Sequence, residues 1–191
     1  TKITKITSGS TPAISQEIDA LYKSIIPVGT FPASSIKVAE AAKVIENTQR
    51  DLNIALYNEL LVLSDKMNLN FNEVIRLASS KWNFLKFKPG LVGGHCLPVD
   101  PYYLSYYAKK MKFKTKVTLA GRDINNYMEK FIFKKIFETI RKIKDVNKKK
   151  IVVAGLTYKP NVADLRNSLA LKIFKKLKSK ISNVIAYDPT I

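Results

Sequence analysis

Several residue types are scarce in this sequence. Among 191 residues there is one cysteine, Cys96, one histidine, His95, and one tryptophan. A single thiol closes no internal disulfide, so no oxidising compartment is implied. One Cys and one His also fall short of the ligand set of a zinc site, and no metal is expected. No run of 18 apolar residues is present, and the first residues lack the charged-then-apolar order of a signal segment. The expectation is a soluble, cytoplasmic protein with no membrane partner. No GxGxxG occurs anywhere, so the usual dinucleotide fingerprint is missing.

Acidic residues are also few. Fifteen Asp and Glu face 33 Lys and Arg, a formal net charge of +18. Such a field attracts polyanions. Most of the excess is lysine scattered along helical stretches such as "KKMKFKTK" and "FKKLKSK". No zinc finger, helix-turn-helix or aromatic-interleaved basic sheet accompanies it, so nucleic acid is not the expected partner.

What is present falls into three stretches. In residues 1–33, "TKITKITSGST" alternates like a short strand with nothing nearby to pair with, and a helical stretch follows among Pro12, Pro27 and Pro32. This reads as the end of a preceding domain and a linker. Residues 34–147 are all helical by periodicity. From Ile36 to Met67 there is no Gly or Pro, and Ile45, Leu52, Leu56, Leu60, Leu63 and Met67 recur at helical spacing. Ser34 or Ser35 can cap that helix. At 1.5 Å per residue its length is roughly 45 Å, long enough to span a bundle, join domains or form a dimer seam. Asn70 with Glu73 resembles a capping box. Asp100–Pro101 reads as an N-cap and first-turn proline. A fourth helix runs from about Val117 to Ile143. Residues 148–191 change character: a β-branched run "KIVVAG", a polar loop, a helix capped by Ser168 and a second strand "NVIAYDP" make a βαβ unit. The fold class is α/β. Because the chain opens on an unpaired strand and stops within a parallel sheet, the expectation is a fragment of a larger protein.

The segment "LVGGHCLPVDPYYL", residues 91–104, concentrates the chemistry. A lone Cys is often a small buried apolar residue. Here, however, Gly93 and Gly94 let backbone approach a ligand closely, and Pro98 and Pro101 stiffen the exit. A thiol in such a loop also suits a covalent nucleophile, and the residues alone leave the two readings near even. His95 is adjacent in sequence and so a poor partner for the thiol. Asp100 serves as a cap or a general base. Lys43 and Asn47 share a helix face, extended by Arg50, either as a solvated stripe or as donors to an oxyanion. Lys159 and Arg166, in the loop after the first strand of the βαβ unit, suit phosphate. Asp188, at the end of the second strand, weakly resembles a ribose-binding acid.

Together, "AEAAKVIENTQRDLNIALYNEL", "GGHCLPVDPYYL" and "GLTYKPNVADLRNS" resemble the UDP-glucose/GDP-mannose dehydrogenase family, in its motif order and spacing. That resemblance implies a central dimerisation domain with the catalytic cysteine, then the first βαβ unit of a Rossmann-like nucleotide-sugar domain. It implies NAD-dependent, four-electron oxidation of the C6 alcohol of a UDP-sugar to a carboxylate, with Cys96 forming a thiohemiacetal and then a thioester. It further implies Lys43 and Asn47 as oxyanion stabilisers and Asp100 as activator of the hydrolytic water. Phe84 and Lys86 of "NFLK" would lie along the nucleotide sugar with Gly93, Gly94 and Lys159, and Arg166 near NAD. The "GGHC" and "KPNVADLR" forms resemble the branch acting on UDP-N-acetylhexosamines, UDP-N-acetylmannosamine first, for surface polysaccharide precursors. The family's N-terminal NAD domain has no counterpart here beyond its final strand, so this chain alone is expected to oxidise nothing. The competing expectation is a basic helical dimerisation or RNA-binding module whose cysteine is structural.

Overall fold

The computed structural model describes residues 2–191, which form two compact units, one ending at Glu46 and one running from Asn47 to Ile191. In the first, β1 (Lys5–Thr7), α1 (Pro12–Ile25) and β2 (Thr30–Pro32) make a small parallel βαβ. The opening strand is therefore not an orphan, and the expected linker is its crossover helix and partner. The partner hides in the sequence because it is only Thr-Phe-Pro and ends in a residue that cannot donate to a ladder. The ladder continues past Pro32 through the Ala33 amide, which donates to the Thr7 carbonyl at 2.7 Å. Thr11 caps α1 by accepting from the Ile14 amide, with Pro12 in the first turn.

Asp19 of α1 holds this unit together. Its carboxylate accepts from the hydroxyls of Thr7 (2.7 Å) and Thr30 (2.5 Å), one on each strand, and pairs with Lys23 at 2.6 Å. Asp19 is 7% exposed.

Helix α2 (Ile36–Lys66) is a single uninterrupted helix with Ser35 Oγ accepting from the Val38 amide at its start. Asn70 caps α3 (Phe71–Ala78) by accepting from the Glu73 amide. Then come α4 (Asp100–Lys110), α5 (Val117–Arg141), β3 (Ile151–Ala154), α6 (Leu169–Lys178) and β4 (Val184–Tyr187). β3 and β4 pair in parallel, Ile151 opposite Val184 through Ala154 opposite Tyr187, and Ser168 caps α6 as expected. The core of this unit lies where α6 and β4 pack against the C-terminal half of α5. Ile140, Ile173, Leu177, Ile181 and Val184 are buried there, and Leu91 packs against them.

The residues α2 buries are mostly polar: Asn47, Thr48, Asp51, Asn58 and Ser64, with Ala55 and Tyr57. Its apolar stripe faces outward instead. Leu56, Leu63 and Met67 are exposed, and Leu52 and Leu60 are half-buried. Among the described residues no helix is long and apolar enough to cross a membrane, and no cluster of His, Cys, Asp and Glu could hold a metal ion.

Hydrogen bonding by Lys23, Thr30 and Thr7 lowers the Asp19 pKa to about 2. A carboxyl held below its unfolded value, about 3.9, adds stability that is present above that value and lost as pH falls through the folded one. Asp19→Asn is therefore expected to lower the urea midpoint of the first unit at pH 6, and this deficit should shrink steadily from pH 4 towards pH 2. An equal deficit at both ends of that range would show that the ionised carboxylate is not what holds the two threonines.

Candidate active site

Residues 79–99, between α3 and α4, form no helix or strand. Pro89, Gly90, Gly93, Gly94 and Pro98 prevent regular structure, so the backbone groups of this segment need partners from elsewhere. They find them on α2 and in the loop between β3 and α6. The Tyr57 hydroxyl donates to the Leu85 carbonyl. The Asn58 carboxamide exchanges two bonds with Gly90, donating to its carbonyl at 3.0 Å and accepting from its amide at 2.8 Å. Further on, the Gly94 amide donates to the Arg166 carbonyl at 3.2 Å, and Asn167 Nδ2 donates to the Gly94 carbonyl at 2.9 Å.

Gly94 has φ +88°, and a Cβ there would lie 2.7 Å from the ring of Tyr158. Only glycine fits both demands. The His95 ring meets Tyr158 edge-on, with centroids 6.1 Å apart. Cys96 follows, and it is exposed rather than buried. Its carbonyl accepts from the Val99 and Asp100 amides at 2.9 and 2.8 Å, which folds the chain directly into α4.

Asp100 is the first residue of α4 and does not cap it; Val99 occupies the N-cap position with no side-chain bond. The reason is that the Asp100 carboxylate is engaged by Asn47 of α2, whose Nδ2 donates to Oδ2 at 2.6 Å. Two of the expected site residues thus meet, beside the turn that carries Cys96. Lys43 belongs to the first unit, where its ammonium pairs with Glu46 at 2.8 Å. Phe84 is half-buried with its ring 6.1 Å from that of Tyr57, and Lys86 is exposed.

Lys159 and Arg166 are both exposed on the loop after β3. Arg166 is oriented by Asp164: Nε donates to both carboxylate oxygens at 3.0 Å and Nη2 donates to Oδ2 at 2.6 Å. The pair lowers the Asp164 carboxyl to about 2 and raises the guanidinium further. The Asp188 carboxylate turns to the chain's own backbone. It accepts from the amides of Leu156 and Thr157 at 2.7 and 3.0 Å and from Thr190, and these bonds hold its carboxyl far below the usual range. The amides at the carboxyl end of β3, where a dinucleotide phosphate would be cradled, are therefore already taken.

Sequence reasoning missed a buried polar chain between α2 and α5. Asp51 Oδ1 accepts from Arg122 Nη1 at 2.6 Å and from Asn125 Nδ2 at 2.8 Å. Asn125 Oδ1 accepts from Asn58 Nδ2 at 2.8 Å, and Arg122 Nη2 donates to Asn126 Oδ1, which lies beside Tyr102 of α4. Asp51, Asn58 and Asn125 are 0% exposed and Arg122 is 2% exposed. Burial raises the Asp51 carboxyl above its ordinary value, against the pull of Arg122. The signal was present: Asn47, Asp51 and Asn58 are spaced four and seven residues apart, one face of a helix.

Residues 37–127 match the central domain of the UDP-glucose/GDP-mannose dehydrogenase family, and residues 152–191 match its UDP binding domain. Over 190 residues the chain is 46% identical to the UDP-N-acetyl-D-glucosamine 6-dehydrogenase of Pseudomonas aeruginosa, covering 99% of this chain and 45% of that protein. It is 37% identical over 189 residues to the UDP-N-acetyl-D-mannosamine dehydrogenase of Campylobacter jejuni, covering 98% of this chain and 45% of the relative. A solved UDP-N-acetyl-mannosamine dehydrogenase from S. aureus matches with a TM-score of 0.83 at 33% identity, over 99% of this chain and 44% of that one. The chain thus spans less than half the length of each of these relatives.

Removing one partner of a buried ion pair strands the other charge. Asp51→Ala, which leaves Arg122 uncompensated, is expected to cost about 3–5 kcal/mol in urea denaturation. The double variant Asp51→Leu/Arg122→Met should recover most of that loss, because the charge then leaves with its partner.

Proposed function

The chain belongs to the UDP-glucose/GDP-mannose dehydrogenase family, and from that premise we propose that it carries the reacting thiol of a nucleotide-sugar 6-dehydrogenase. The observation that supports this most is the exposed Cys96 on a pinned turn whose next helix opens with Asp100 held by Asn47. In this reading residues 34–147 are the central domain and 148–191 begin the nucleotide-sugar domain.

The Cys96 thiolate adds to the C6 aldehyde. A C–S bond forms and the carbonyl pair moves onto oxygen. Lys43 is assigned to that oxyanion. So is Asn47, whose amide has a second N–H beyond the one given to Asp100. Loss of hydride leaves a thioester. Asp100 then takes a proton from a water that attacks it, and collapse of the adduct expels the thiolate with the carboxylate product. NAD is the oxidant we assign; bound in the complete enzyme, it would supply the hydride acceptor. The described residues do not fit it as a host: the amides after β3 are held by Asp188 and no glycine-rich turn follows a strand. Only Arg166 is retained as a contact, and no further binding step is assigned to this chain.

Lys159 suits the substrate diphosphate, with Phe84, Lys86, Gly93 and Gly94 along the sugar. The motifs favour a UDP-N-acetylhexosamine of manno configuration. The higher identity to relatives named for UDP-N-acetyl-D-glucosamine favours the gluco epimer, which we place first. A second copy of the chain is assigned to the uncovered face of α2. Leu56 there joins Leu52, Val117, Ala120 and Ile124 in an apolar groove of about 690 Å³.

Cys96→Ser in the complete enzyme keeps size but removes the nucleophile and leaving group. Turnover measured by NADH formation is expected to fall by several powers of ten, with little change in UDP-sugar binding. Near-normal turnover would return Cys96 to a structural role. Asp100→Asn should slow hydrolysis instead, so that intact-mass spectrometry during turnover shows an acyl adduct on Cys96. Comparing kcat/KM for the gluco and manno epimers decides the sugar.

A further inference from the structure

We propose that Asn58, backed by Asn125 and the Asp51–Arg122 pair, is a positioning residue that sets where Cys96 stands. This rests on Cys96 being the reacting thiol. Gly90 and Tyr102 lie six residues to either side of Cys96. One hydrogen-bonded chain joins them. It runs from the Gly90 peptide to Asn58, then Asn125, then Asp51, then Arg122, then Asn126, whose Nδ2 donates to the Tyr102 hydroxyl at 3.1 Å.

Each link leaves little freedom. Asn58 pairs with Gly90 as one peptide pairs with another in a sheet, donating and accepting at once. Its Nδ2 also donates to Asn125 Oδ1, so rotating the carboxamide would set oxygen against oxygen at both contacts. Asn125 is fixed in turn because its Nδ2 donates to the Asp51 carbonyl and carboxylate at 3.0 and 2.8 Å. Leu91, next to the clasped Gly90, is seated against the apolar core. The segment entering the Cys96 turn thus has a polar anchor and an apolar one in consecutive residues.

Stability alone does not account for this arrangement. A buried polar network adds little over well-packed apolar side chains of the same shape. α2 has leucines enough to bury, yet Leu56 and Leu63 stay exposed while Asp51 and Asn58 are fully enclosed. What a network of directed bonds supplies and leucines do not is a single defined geometry. A segment with no secondary structure needs that geometry, because a misplacement of about 1 Å at a reacting atom costs about a hundredfold in rate.

Two variants test this. Asn58→Leu keeps roughly the core volume and removes the clasp. Asn126→Ala removes the link to Tyr102 at an exposed position, together with the acceptor that Asn126 offers to Arg122 Nη2. Hydrogen exchange followed by mass spectrometry on the purified chain is expected to show faster exchange in peptides covering residues 86–99 for Asn58→Leu, and in 97–103 for Asn126→Ala. Peptides from α5 should be unchanged. In the complete enzyme kcat should fall about a hundredfold for Asn58→Leu and less for Asn126→Ala, while KM for the UDP-sugar stays within about threefold. If Asn58→Leu does not fold, Asn126→Ala decides alone. Unchanged kcat in a folded variant, or exchange that rises equally across α2 and α5, would overturn the proposal. The exchange result does not depend on the reaction, so a failure of the thiol assignment would appear separately, as full activity in Cys96→Ser.

Discussion

The ion pair between Asp51 and Arg122 is the constraint on which the second unit depends. Two charges are removed from water between α2 and α5, and their mutual attraction at 2.6 Å offsets only part of what that removal costs. Hydrogen bonds offset part of the remainder, since Asn125 donates to the same carboxylate and Asn126 accepts from the guanidinium, while Asp51 Oδ2 and Arg122 Nε find no partner among the described residues. Once these groups are committed, the crossing of α2 and α5 is fixed and every buried polar atom nearby must conform to it. Asn58 does so by turning one donor to Asn125 and its remaining bonding capacity to the Gly90 peptide.

The consequence for chemistry is that the Cys96 turn is positioned by side chains rather than by secondary structure. Tyr57 and Asn58 of α2 hold its approach, Arg166 and Asn167 hold Gly94, and Asn47 holds Asp100 at its exit. The first, second and last of these anchors stand on one helix. The loop after β3 supplies the others, and the same loop presents Lys159 and the Asp164-oriented Arg166. A phosphorylated ligand bound at that loop would therefore sit against the segment that carries the thiol, because Gly93 and Gly94 touch Tyr158 and Asn167 directly.

Turning its polar face inward leaves α2 with an apolar face outward. Leu56, Leu63 and Met67 are uncovered, and Leu56 borders, with Val117 and Ile124 of α5, the groove assigned above to a second copy. The two features have one cause: a helix that spends its inner face on Asn47, Asp51 and Asn58 has its leucines left over for another surface.

The sequence by itself determined the helices, the closing βαβ unit and the family. Periodicity, caps at Ser35, Asn70 and Ser168, and three ordered motifs are local or linear properties, and the chain carries them whatever its packing. It also singled out Cys96, Asp100 and Asn47 as candidates, although residue type and spacing left their roles open and only the family resemblance implied them. It did not reveal the partner of β1, a three-residue strand ending in Pro32, whose pairing depends on Asp19 reaching two threonines far apart in sequence. It read Asp100 as a cap or a general base, and the cap position fell to Val99, since a carboxylate's role is set by which donors face it. Only the tertiary structure decided that Asn47 takes Asp100, that Asp188 takes the amides after β3, and that Asn58 and Asn125 are buried. Those bonds join residues some thirty to seventy positions apart, and no local pattern records which donor will meet which acceptor once the helices have packed.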